Sequence, residues 1–424
     1  MSPTFASLSV RNYRWWWTGA LLSNVGTWMG RVAQDWLVLT QLTDHSASAL
    51  GVVTGLQFLP FLLLAPFAGA LVDRVDSRRL LAVTQTLLGL TSLLLGILTM
   101  TGHITLLLVY ALAFAQGLVT AVDNPARQVF VSEVVPRRHL PNAVALNSAS
   151  FNGARLIGPG VAGLLIAWVT TGPVFLVNAA TFAFTLVALA RLRTSELHPT
   201  PRSEKNRSVR DGLRYVRSRR DIQLILLLVF VLGTFGMNFQ MTTALMATRV
   251  FGMGSGEYGL LGSIMAIGSL VGTLLSARRP EPRLRVLLTA LAGFVVATAA
   301  ASLAPIYLLF AVALIPIGLS ALTAMTTANA MVQLRVDPAM RGRVMALYMA
   351  IFAGGTPVGA PLIGWIGDAF GARWTIAIGS IAVGVTLAVV SVWLARHENV
   401  RVSYESQRRP RVRISVEGAP EAVR

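Results

Sequence analysis

The sequence predicts an all-α membrane protein of twelve transmembrane helices in two pseudo-symmetric six-helix bundles, and three observations predict it. Hydrophobic residues make up 54% of the chain against 13% charged, and mean hydropathy is +0.64, far above the range of water-soluble domains. Apolar runs of about 20 residues, each able to cross about 30 Å of hydrocarbon, recur from end to end. Of 36 Lys and Arg residues, all but Arg31, Arg155, Arg249 and Arg373 fall at the two termini or in alternate interhelical segments.

Read between polar breaks, the runs place helices at 15–40, 48–72, 80–100, 104–123, 142–168, 172–192, 222–248, 256–277, 286–304, 306–332, 344–367 and 373–395. The first run is too long for a signal-peptide core and lacks a small-residue cleavage site, so it counts as helix 1. An even number of crossings puts both termini on the basic side, which the positive-inside rule assigns to the cytoplasm. The expected organisation is a bundle at 1–192, a basic linker at 193–221, a second bundle at 222–395 and a disordered cytoplasmic tail at 396–424. Within the linker, Val209, Leu213 and Val216 recur at helical spacing and predict an amphipathic helix. Its basic face suits anionic lipid, and a plain positive-inside stop signal between the halves explains the same charges.

The halves also echo one another at a constant offset. Gly117 maps onto Gly318, Gly158 onto Gly359 and Gly163 onto Gly364, as expected of repeats that hold a binding site between them.

Several function classes drop out. The net charge of +18 is a loop property that follows membrane orientation, so no nucleic-acid partner is expected. The chain has no cysteine, and His45, His103, His139, His198 and His397 form no ligand spacing, so neither a metal nor any other cofactor is expected. The strings at Gly158–Gly163 and Gly254–Gly259 match Gly-x-Gly-x-x-Gly but follow no strand, and no Walker A string exists, so ATP is not the direct energy source. No Ser-His-Asp set or paired intramembrane carboxylates suggest an enzyme.

Charged residues inside a bilayer cost about 2.5–3.5 kcal/mol or more each, so those that persist there carry functional hypotheses. Asn24, Trp28, Arg31 and Asp35 step at helical intervals and share one stripe of helix 1, within about 60° of arc. Asp35 is a candidate proton site because burial favours its neutral form. Arg31, one turn away, could instead hold it in a static ion pair, and a place in the outer headgroup region is the third reading. Helix 4 repeats the spacing with Gln116, Thr120, Asp123 and Arg127. Arg155 lies near the middle of helix 5 with no local acid, so a partner from another helix, Asp123 or Asp35, or a solvated position is required. Its role is open between an interhelical lock and a part in coupling. Further cavity candidates are Gln57 in the first half and Asn238, Gln240, Thr326 and Asn329 in the second, with Gln333, Met237 and Met241 nearby. Coupling chemistry thus concentrates in the first half and a neutral, adaptable surface in the second.

Gly69–Arg79, GALVDRVDSRR, lies between helices 2 and 3 and resembles the Gly-x-x-x-Asp-Arg-x-Gly-Arg-Arg/Lys motif of the major facilitator superfamily. Asp76 stands where that motif carries its second glycine. The helix 5 string ARLIGPGVAG is similar to the superfamily's antiporter motif through Gly158, Pro159 and Gly163. DWLVL in helix 1, VPRRHLPNAVALN after helix 4 and RVDPAMRGRVMAL after helix 10 resemble the drug:proton antiporter branch that holds macrolide efflux proteins and the enterobactin exporter. The resemblance implies the major facilitator fold. It also implies a cytoplasmic gate of Gly69, Asp73, Arg74, Arg78 and Arg79, joined by Arg341 and Arg343, in which Asp73 and the arginines latch the outward-facing state. The implied function is proton-coupled efflux of hydrophobic or amphiphilic small molecules by a monomer in the inner membrane, in contact with lipid. A siderophore or natural-product exporter and a lysophospholipid flippase are alternative cargo classes, and a non-transporting membrane receptor is the alternative of a different kind.

Overall fold

The computed structural model describes residues 3–198, 209–279, 281–338, 340–397, 400–405 and 411–416. Its membrane helices in the first half are α1 (Arg11–Leu37), α2 (Ala47–Arg74), α3 (Ser77–Met100), α4 (Leu106–Val134), α5 (Leu140–Val169) and α6 (Thr171–Ala190). After a short linker helix, α7 (Val209–Ser218), the second half runs through α8 (Arg220–Val231), α9 (Phe239–Leu245), α10 (Ser255–Ala277), α11 (Leu284–Ser302), α12 (Tyr307–Arg335), α13 (Arg341–Gly354), α14 (Thr356–Phe370) and α15 (Ala372–His397). The broken pairs α8–α9 and α13–α14 each make one crossing. Among the described residues, 11 segments are long and apolar enough to span a bilayer. Helix α1 supplies the twelfth crossing: its 27 residues reach about 40 Å, and its lower hydropathy comes from the polar stripe that carries Asn24, Arg31 and Asp35.

The glycine pairs show how the halves are related. A Cβ on Gly117 would strike the Gln57 backbone, joining α4 to α2, and one on Gly318 would strike Met265, joining α12 to α10. Gly158 lets α5 approach α1 at Trp28, and Gly359 lets α14 approach the end of α8 at Thr234. Gly163 of α5 packs on Ser255 and Gly259 of α10, and Gly364 of α14 packs on Ala47 and Ser48 of α2. Each member of a pair therefore makes the contact equivalent to its mate's in the opposite half. Small residues of this kind let helix backbones meet where lipid offers no hydrophobic drive.

Two spans are interrupted. Between α8 and α9 the chain widens into π-helix over Leu232–Gly236, and Asn238 Nδ2 donates to the Thr234 carbonyl at 2.8 Å, satisfying a group the break frees. Between α13 and α14 the break falls at Gly355, just before Pro357 near the start of α14, as the missing proline N–H dictates.

Helix α4 continues to Val134, well past the boundary expected at 123, because Asp123 and Arg127 are paired within the protein and do not mark a loop. The linker helix α7 forms where the pattern predicted. It docks on the second half: Tyr215 Oη donates to Asp337 at 3.1 Å, Arg343 pairs with Asp211 at 3.8 Å, and Val216 is buried while Leu213 is exposed. Val209 side-chain placement lies outside the described residues. In the tail, expected to lack regular structure, β1 (Val400–Glu405) pairs antiparallel with β2 (Arg411–Val416), setting Val402 opposite Ile414. The period-2 alternation of apolar and polar residues in both segments favours strands, and the density of arginine hid it.

Candidate functional site

Helix α1 carries the polar stripe along the seam between the halves. Asp35 is 5% exposed and accepts a hydrogen bond of 2.8 Å from Tyr258 Oη, in the first turn of α10. Tyr258 Oη also lies 3.4 Å from the Gln240 carbonyl of α9, and the Tyr258 ring stacks on Trp36, centroids 6.2 Å apart. A carboxyl group from one half is thus tied to a phenol from the other. Arg31 forms no ion pair with Asp35 among the described residues.

One turn along the stripe, Arg31 lies over the Trp28 ring at 5.1 Å and near Phe58 at 5.9 Å. Arg155 of α5 lies over the same Trp28 ring at 5.6 Å. Arg155 meets neither Asp35 nor Asp123. Asp123 is fully engaged elsewhere: Arg127 Nε bonds it at 2.6 Å, Thr84 at 2.6 Å and Gln85 at 2.8 Å, while Arg127 also donates to Ser23 and Gln85. That buried and satisfied network locks α1, α3 and α4 together.

The remaining cavity candidates fall into two groups. In the first half, Asn24 donates to Ser150 at 3.3 Å and Gln57 to Gln34 at 3.1 Å, while the Thr120 hydroxyl is returned to the Gln116 carbonyl. In the second half, Asn238 spends its Nδ2 on the helix break while its Oδ1 stays buried without a partner among the described residues, Thr326 bonds Leu322 of its own helix, and Asn329 accepts from Gln333 at 2.6 Å. Met237 is partly buried against the core and Met241 is within it.

Around Gly69 a Cβ would meet nothing. The Asp73 side chain lies outside the described residues. Arg78 Nε donates to the Leu189 carbonyl at 3.0 Å, and Arg74, Arg79 and Arg341 are exposed. Asp76, where the motif has glycine, is the N-cap of α3 and accepts from the Arg79 N–H at 2.8 Å. An aspartate at that position satisfies an orphan helix donor, and its φ of −59° makes no demand for glycine.

The halves meet at the face opposite the basic loops. Asp368, near the end of α14, accepts from the backbone N–H groups of Ala47 and Ser48 at 2.9 and 2.8 Å and from Ser46 Oγ at 3.2 Å. These cap α2, and Arg249 pairs with the same carboxylate at 2.8 Å. Ser255 Oγ adds a bond to the Gly163 carbonyl at 3.1 Å. Residues 357–367 of α14 lie against residues 47–55 of α2, and Pro159 and Gly163 of α5 lie against Gly259. Sequence reasoning missed Tyr258 and Asp368. Their partners lie far away along the chain, and the one local hint was that the buried Asp35 needed a donor.

The antiporter-like glycines of α5 therefore hold both α1 and the opposite half, and the family of transmembrane secretion effectors matches residues 2–419. The chain belongs to that family, within the major facilitator superfamily. It is a multi-span membrane transporter of the efflux and secretion kind. Similar curated proteins include the staphyloferrin A transporter of Staphylococcus aureus, 25% identical with 92% of this chain and 98% of the relative covered. The multidrug efflux pump Tap of Mycolicibacterium fortuitum is 28% identical over 89% and 94%, and the enterobactin exporter EntS of Shigella boydii 26% over 85% and 87%. Among solved structures, the nucleoside transporter NupG superposes with a TM-score of 0.68 at 13% identity, covering 90% of this chain and 98% of its own. A bacterial homologue of the human lysosomal transporter Spinster, in an inward-facing and unoccupied conformation, gives 0.64 at 16%, covering 93% and 96%. At such identities these two speak for the fold.

Proposed function

We propose that this transporter exports hydrophobic or amphiphilic small molecules across the bacterial inner membrane by alternating access, in exchange for protons taken up at Asp35. With the arginine-rich loops and both termini assigned to the cytoplasm by the positive-inside rule, the face at which the halves are bonded together is the periplasmic one. The observation that carries the reading is the Asp35–Tyr258 bond: a titratable group inside the membrane is also a strut between the two halves. An ionised carboxylate accepts a charge-assisted hydrogen bond, roughly twice as strong as the neutral bond it can make once protonated. The ionised form therefore favours the closed arrangement of the two halves and the protonated form weakens it, so the proton state of Asp35 biases the alternating equilibrium.

Two of the three relatives handle siderophores by name and one handles drugs. That supports a secreted natural product as the second cargo reading beside drugs. The test is reconstitution in proteoliposomes with an imposed pH gradient, comparing wild type with Asp35→Asn. Gradient-driven efflux is expected to fall by about two orders of magnitude or more, the usual scale for loss of a group acting in proton transfer, while energy-independent exchange of cargo persists. Full gradient-driven transport by Asp35→Asn would refute the assignment.

A further inference from the structure

We infer that the cargo is an organic anion, with a carboxylate or comparable oxyanion seated between Arg31 and Arg155 and an aromatic or apolar body packed along Trp28. This deepens the export reading above and rests on it. Arg31 and Arg155 come from different helices yet converge on one indole ring, at 5.1 and 5.6 Å from its centroid, close enough for their charges to act on each other. Neither has an ion-pair partner or a hydrogen bond among the described residues. The nearest acid, Asp35, is bound by Tyr258, and Asp123 is closed off by Arg127.

Asp35 acts on Arg31 only at a distance, with no ion-pair contact to either guanidinium among the described residues, so two like charges held together inside a membrane protein remain costly, and stacking on an indole returns only part of that cost. A guanidinium fork matches a carboxylate or phosphate bidentately, so a visiting oxyanion would supply what the protein leaves out. The surroundings describe the rest of the ligand. Phe151 packs edge-on against Trp28 at 6.1 Å, and Phe58 neighbours both Arg31 and Phe61. The candidate polar groups of the second half are amides and hydroxyls, with no acid among Asn238, Gln240, Thr326 and Asn329. A cationic drug would meet repulsion at this place.

The test uses two probes that share one fluorophore and differ in charge, N-dansyl-glutamate and dansylcadaverine. Their binding to purified full-length transporter in nanodiscs is followed by fluorescence anisotropy without any gradient. Wild type is expected to bind the anionic probe at least tenfold more tightly. Arg31→Gln and Arg155→Gln should each weaken the anionic probe about tenfold and leave the cationic probe unchanged or tighter, and Arg155→Lys should retain part of the preference. Equal affinity for the two probes, preference for dansylcadaverine, or no binding of N-dansyl-glutamate by wild type would overturn the inference, whatever the variants' folding. Because the readout is equilibrium binding, an anion preference in a protein that fails to export in liposomes would count against the transport reading alone.

Discussion

The two faces of the bundle are held by different physics. At the sealed face, Asp368 gathers Ser46, Ala47, Ser48 and Arg249, Tyr258 reaches across to Asp35, and glycines bring α5 onto α10 and α14 onto α2. At the basic face, the bonds among the described residues stay within one half or involve the linker. Arg78 ties α3 to α6, while Tyr215, Arg219 and Arg343 fasten α7 to the second half. Glycine-lined packing and bonds between the halves close one face, and ion pairs within the second half and its linker dress the other. A transporter needs a seal that can be undone, and here it is a small number of directional bonds over a glycine-lined seam.

Four substitutions separate these contributions, read by double electron–electron resonance between spin labels at Asp44→Cys and Gly254→Cys across the sealed face. The natural chain has no cysteine, which keeps the labelling clean. Gly364→Val has the largest expected effect: a branched side chain would strike the Ala47 backbone, costing the sealed state about 3 kcal/mol and making the long distance dominant. A distance distribution like that of wild type would show that the seam tolerates bulk. Next comes Tyr258→Phe, which takes from the buried Asp35 its phenol donor and leaves the Gln240 amide as its side-chain partner, at a cost of about 1–3 kcal/mol. The open fraction should rise at pH above the titration of Asp35 and respond little to pH, whereas wild type should open as the pH falls. Parallel pH responses in the two proteins would remove the strut from the account.

Asp368→Ala removes an ion pair and three hydrogen bonds, but the carboxylate is about 30% exposed, so solvent screening limits the shift to about 1–2 kcal/mol. Its open fraction should grow with added salt less steeply than that of wild type, since the salt-sensitive pair is already gone. The smallest effect belongs to the basic face: Asp211→Asn breaks the 3.8 Å pair with Arg343, a half-exposed contact worth about 0–1 kcal/mol. No measurable change across the sealed face is expected. A shift as large as that of Tyr258→Phe would mean that α7 participates in gating.

Much of this was legible in the chain. The spans, the even count and the glycine correspondences follow from hydropathy and spacing, because a bilayer enforces apolar runs and close helix packing enforces small residues. The stripe of Asn24, Trp28, Arg31 and Asp35 was legible for the same reason, since a helix lines up residues three and four apart. The partner of Asp35 was not. Local spacing pointed to Arg31, yet the bond goes to Tyr258, more than two hundred residues away and in the other half. Arg155 has no acid near it along the chain, and only the fold shows that it shares an indole with Arg31 and that Asp123 is paired with Arg127.

By itself, then, the sequence determined that this protein lives in hydrocarbon, crosses it twelve times and keeps a few charged groups inside, because transfer energies act residue by residue and leave a record in composition and period. Which buried charges are satisfied, which stand open to a ligand, and which face of the bundle is shut were decided by tertiary structure alone. Those properties depend on distances between helices that no stretch of chain encodes locally.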